Sequence, residues 1–427
     1  MSPIHDERLS RRDLVKLTAG GVALSALGPW APIVAAGKPT GSDIFSVSSI
    51  PNQPFRRKLL GPNHHLGIDC LIHLMGAGGL KFYRSKKKGP VSGRKGMIAA
   101  TDVVLIKVNA QWKYRGCTNS DLIRGLIQAI LDHPDGFDGE VVVIENGQGY
   151  GSLECAAMTR YPDSSIHANA NRSHHSFTYV VDNLIADSRV SCFLLDSLRL
   201  RFIDDSDHLT DGYRDYENVS YPCFTTARGN RVELREGIWT GTGHAQNLKL
   251  LNVPVLKHHD VGGSEITAAL KHVYGILSMR PGDANYSYRH YVGLGQTCGK
   301  MMVSVRTPVL NIIDAIWVSH LALTGEPEEA TRRVNRLAAS QDPVALDYWA
   351  AKNILYAIDE NHRHHPDFAG IRAWLDSARD LINERGGLWA PGQGVRVDRV
   401  TSDEELMRVV SYSAKRFLKD VRRAARG

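Results

Sequence analysis

The chain has 427 residues, 43% of them hydrophobic and 23% charged, and a formal net charge of +7. That length and apolar share suffice for one large or two medium domains with a substantial core, and they exclude a disordered or fibrous chain. The mild positive excess suits an anionic small molecule or an anionic surface.

The first 36 residues read as an address. SRRDLVK (residues 10–16) leads into a small and apolar run, residues 17–36, that ends in VAA before Gly37. A charged start, an apolar middle and small residues at a cleavage site make an export signal. The paired Arg11 and Arg12 point to the twin-arginine route, so its translocation machinery is an expected partner. Leu14 and Val15 stand where that signal usually has Phe and Leu. Gly20, Gly21, Gly28, Pro29 and Pro32 weigh against a membrane-spanning helix. The protein is therefore expected to be periplasmic, or anchored to the membrane through this segment alone if cleavage after Ala36 does not occur. Export also argues against nucleic acid as a partner.

Residues 37–60 are polar, with Pro51 and Pro54, and read as an extended lead-in. KFYRSKKKGPVSGRKG (residues 81–96) concentrates Lys and Arg among Gly, Ser and Pro, the pattern of a solvated loop, with an anion-binding flap as the sharper alternative. VVLIKVN (residues 103–109) is a buried strand. Asn119-Ser120-Asp121 then opens the helical pattern LIRGLIQAIL, and EVVVIEN (residues 140–146) is a second buried strand. Strand, helix and strand form a βαβ unit, which predicts a three-layer α/β fold, mostly parallel, with helices on both sheet faces. LKLLNVPVLK (residues 248–257) and VLNIID (residues 309–314) extend the sheet, each with a helix expected after it. Residues 151–235 read as an elaboration over the sheet. In QDPVALDYWAAKNIL, Asp342 is the expected helix cap and Pro343 the first helical residue. Residues 356–427 read as a helical extension packed on the domain, ending in a basic tail.

Six cysteines (Cys70, Cys117, Cys155, Cys192, Cys223 and Cys298) lie far apart without a C-x-x-C pair. No iron–sulfur cluster is expected, because its thiolates must be clustered. Pairing is open to them in an oxidising compartment, and most should be buried single thiols.

In an open parallel sheet, ligands bind beyond the carboxyl ends of the strands. Four strand ends here carry polar tips: Lys107 and Asn109; Glu145 and Asn146; Lys257, His258 and His259; and Asp314. A helix predicted from Ser264 puts Ile266, Leu270, Val273 and Leu277 on one face and Lys271 nearly opposite, with Thr267 beside it. The amides after Gly262-Gly263 could meet an anion. The candidate catalytic residues are Lys257, His259 and Asp314, and the candidate substrate contacts are Lys107, Asn109, Glu145, Thr267 and Lys271. A metal is open as to identity, with His258, His259 and Glu265 as candidate ligands, because imidazole with carboxylate suits a divalent ion. There is no phosphate-binding P-loop and no G-x-S-x-G elbow. ENGQGYG (residues 145–151) lacks the full dinucleotide fingerprint.

VVLIKVN and VVVIEN, then NVPVLKHH…ITAALKHVYG, LNIIDAI and LAASQDPVALDYWAA resemble, in order, the blocks of the DUF362 family, a domain of unknown function. The resemblance spans residues 100–355. Departures are Val108 for the usual proline, His258 in the variable place before His259, and His272 for the common Asn. Many members carry a ferredoxin-type cluster segment, and this chain lacks the cysteines for one. The shared blocks contain Lys107, Asn109, Lys257, His259, Thr267, Lys271, Asp314, Asp342 and Asp347, and the resemblance supplies no roles for them. The leading expectation is an enzyme acting on a small anionic ligand. A non-catalytic periplasmic binding or accessory protein and a cofactor- or metal-loaded protein are the alternatives.

Overall fold

Val103–Val108 and Glu140–Glu145 are buried at every position, as strands covered on both faces must be. The computed structural model describes residues 41–149, 152–156, 165–259, 265–279, 293–389 and 396–426. The predicted export segment and Gly262-Gly263 lie outside these residues. Among the described residues no helix is long and apolar enough to cross a membrane.

A ten-stranded sheet forms the middle of the molecule. Its strands in chain order are β1 (Ser42–Ser48), β2 (Val103–Val108), β3 (Glu140–Glu145), β4 (Val190–Leu194), β5 (Leu248–Val253), β6 (Val255–His258), β7 (Ile266–Thr267), β8 (Leu310–Ser319), β9 (Thr331–Ser340) and β10 (Met407–Ser413). The spatial order is β10-β1-β9-β8-β5-β2-β3-β4, with β6 paired to both β8 and β7. The run β8-β5-β2-β3-β4 is parallel throughout. Antiparallel pairing enters at β9, which lies between β8 and β1. The fold is thus α/β on a mixed, mostly parallel sheet.

The helices are α1 (Leu66–Ala77), α2 (Ser120–Leu131), α3 (Ala269–Tyr274), α4 (Leu294–Lys300), α5 (Pro343–Ala350), α6 (Ala369–Glu384) and α7 (Ala414–Ala424). One group, α1 with α2 and α7, and a second, α3 to α6, each pack among themselves, and α1 and α5 both reach β1 and β9. A separate five-stranded antiparallel sheet occupies residues 212–245. The Asn119 side chain accepts the Leu122 amide at the start of α2, and Asp342 accepts those of Val344 and Ala345 at the start of α5. Both caps follow from residue type alone.

Four expectations are corrected. Residues 248–257 do not form one strand but break at Pro254, which has no amide for the ladder. The Asn109 side-chain oxygen instead accepts the Val255 amide at 2.9 Å. No helix follows residue 314. The strand runs on through Ala-Ile-Trp-Val-Ser, rich in β-branched and aromatic residues, and returns as antiparallel β9. The helix expected from Ser264 begins at Ala269, because Ile266–Thr267 pairs with β6 and the Asp347 carboxylate accepts the amides of Ala269 at 2.7 Å and Leu270 at 2.8 Å. Finally, the polar lead-in contributes β1, and the C-terminal segment contributes the edge strand β10 as well as helices.

Candidate functional site

Lys107 on β2 and Glu145 on β3 meet at 2.7 Å, with side chains 0% and 3% exposed. The Lys107 ammonium also donates to the Val108 carbonyl at 2.8 Å and faces His272 Nε2 at 3.2 Å. His272 Nδ1 lies 2.7 Å from Asn252 Oδ1. The Asn252 amide in turn donates to Ala269 O and Asn311 Oδ1, each at 2.8 Å, and Asn311 donates to Ser340 O at 3.3 Å. Since Asn252 Oδ1 only accepts, His272 carries its proton on Nδ1 and Nε2 accepts from Lys107. Burial, with the Lys107 charge beside it, holds the His272 pKa well below its usual value. Burial also pushes Glu145 up to about 7 against the pull of Lys107, and pushes Lys107 down. Lys107, Glu145, His272, Asn252 and Asn311 thus make one buried polar chain across the sheet. Lys107 spends its donors inside the fold.

Lys257 is different. It lies at the end of β6, 2% exposed, and donates to the Gly116 carbonyl at 2.7 Å. Burial lowers its pKa to about 7, the neighbouring Cys117 opposing and Lys271 reinforcing the fall. Lys271 on α3 is only 7% exposed, not on a solvent face. The register Lys257↔Thr267 brings Thr267 beside Lys257. Gly116 leaves no room for a side chain: a Cβ would stand 2.3 Å from Thr324 O.

Cys117 is the group that sequence reasoning passed over as a plain buried thiol. It is indeed buried and free, as are Cys70, Cys155, Cys223 and Cys298. Its sulfur accepts the Asn169 amide at 3.3 Å and lies against Cys155. Nothing in the spacing of residues 117, 155 and 257 signals this meeting.

The other candidates have structural partners. Asp314, 0% exposed and pushed up to about 6 by burial, accepts the amides of Asn119 at 2.7 Å and Ile316 at 3.0 Å. Asn109 braces the break at Pro254. The His259 amide donates to Glu265 O at 2.7 Å, and the Glu265 carboxylate lies 3.4 Å from Arg363. His258 points away from Lys257 to His364, at 2.9 Å.

These features define an α/β protein with a buried lysine cluster formed by Lys107 on β2, Lys257 on β6 and Lys271 on α3. Residues 236–352 match the sequence profile of DUF362, a domain of unknown function, and this stretch belongs to that family. It carries Lys257, Lys271, Asp314, Asp342 and Asp347, whereas Lys107 and Glu145 precede it. No curated protein and no solved structure matches the chain.

Proposed function

We propose that the protein is exported by the twin-arginine machinery and works as an enzyme on a small anionic substrate held by Lys257 and Lys271. Lys257 carries the argument. An ammonium has three donors, and among the described residues its one hydrogen bond goes to Gly116 O. Two donors remain for a ligand. Lys271 is close enough to depress the proton affinity of Lys257. An anion between them would offset both the repulsion and the burial of charge. With a pKa of about 7, Lys257 exchanges its proton near neutral pH, as a general acid or base requires. Thr267 and His259 flank that lysine, and Asp314 holds the loop from Asn119.

Sulfate is a suitable probe. It should raise the melting temperature of the wild type, and Lys257→Met and Lys271→Met should each lose that rise while still folding. A rise that survives both changes removes the site. Turnover then separates the two readings: small carboxylates or phosphate esters that bind without conversion would make this a non-catalytic binding or accessory protein.

A further inference from the structure

Two clusters of histidine and carboxylate lie outside the lysine site, and they differ in completeness. Glu233 receives His208 Nδ1 at 2.6 Å, His244 Nε2 at 2.7 Å, and Arg214 Nη1 and Nη2 at 2.9 and 3.4 Å. The donor atoms of His208, Glu233 and His244 lie within 4.8 Å of one another, near enough for one ion. Yet four donors already fill the carboxylate, and the Arg214 guanidinium is its counter-charge. A divalent cation would face a fixed positive charge there.

The second cluster is incomplete. The register Lys257↔Ser319 sets His258 beside His320 at the ends of β6 and β8. The turn His362–His364 meets them, with His258 Nδ1 2.9 Å from His364 Nε2. Asp359 faces both other rings: one oxygen lies 2.7 Å from His320 Nδ1, the other 3.6 Å from His364 Nδ1. The second distance is too long for a hydrogen bond. His364 is 0% and His320 5% exposed, yet His364 Nδ1 and His320 Nε2 have no hydrogen-bond partner. Buried polar atoms left in this state call for a missing water or ion.

The gap has the size of an ion. Two donors bound at about 2.0–2.2 Å with a tetrahedral angle stand roughly 3.3–3.6 Å apart.

We propose that His364 and Asp359, braced by His258 and His320, bind a divalent transition-metal ion of the zinc class. The ion sits between His364 Nδ1 and Asp359. His320 Nδ1 holds the other carboxylate oxygen and so orients Asp359, and water completes the shell. His364 Nε2 then donates to His258 Nδ1, the kind of outer contact that fixes an imidazole ligand. Of the ligands expected from sequence, His258 keeps a place beside the ion, while His259 and Glu265 do not take part. This inference is independent of what the lysines bind.

The test is titration of the untagged chain with Zn2+ by calorimetry and with Co2+ by visible absorption. Stoichiometric binding is expected, weakened at least about tenfold in His364→Ala and in Asp359→Asn, and unchanged in His244→Ala. No binding by the wild type would overturn the proposal, as would equal affinity in Asp359→Asn. So would loss of binding in His244→Ala, which would move the ion to Glu233. Asp359 is at the surface, so its Asn variant decides the matter if His364→Ala fails to fold.

Discussion

Lys107 and Glu145, on neighbouring parallel strands, form a 2.7 Å ion pair within the sheet layer, sealed from water. Lys107→Met would strand a buried carboxylate, at a cost of about 3–5 kcal/mol. The double variant Lys107→Met/Glu145→Leu should recover part of that loss, since it removes the stranded charge but still leaves the Val108 carbonyl and His272 Nε2 without their donor. Urea unfolding measures both. If the double variant is as unstable as the single one, the pair is not the energetic unit.

Asp347 gives a pH dependence with a definite sign. Burial raises its pKa to about 8, above the unfolded value, although it accepts the Leu270 and Ala269 amides. Between the unfolded pKa near 4 and about pH 8 the folded state binds the extra proton, so this residue's contribution to stability falls as pH rises. Asp347→Asn cannot ionise. The stability of wild type relative to that variant should therefore decline across the window, by at most about 1.4 kcal/mol per pH unit. A difference that stays flat from pH 5 to 8 would show that Asp347 does not titrate there.

Lys257 sets the opposite kind of test, in binding. Its pKa falls to about 7 by burial, and only the protonated form attracts an anion. Sulfate affinity should weaken as pH rises through 7, at most about tenfold per unit, while sulfate itself keeps its charge. Lys257→Met should abolish that slope. Gly116→Ala should act on the same slope indirectly, because its methyl group would push against Thr324 O and displace the carbonyl that anchors Lys257. A pH profile of Lys257→Met that matches the wild type would exclude the lysine as the titrating group.

Much of the frame was readable from residue types. The β-branched runs of β2 and β3 could only be buried strands, and Asn119 and Asp342 capped the helices they preceded. Such signals are local: a side chain reaches its own neighbouring amides whatever the rest of the chain does. Where a long-range partner decided, sequence reading failed. Asn109 takes the Val255 amide where the strand breaks, and Asp347 moved a helix start from Ser264 to Ala269.

The same division holds for chemistry. By itself the sequence placed Lys107, Glu145, Lys257 and His258 at strand ends, as the structure has them, whereas Asp314, read as a fourth strand end, lies inside β8. Only the tertiary structure decided that Lys107 is consumed by Glu145 and His272, that Lys257 retains donors beside Cys117, and that His258 faces His364. Those outcomes depend on which side chains meet across residues distant in sequence, and on how much water is excluded where they do. Spacing along the chain carries neither.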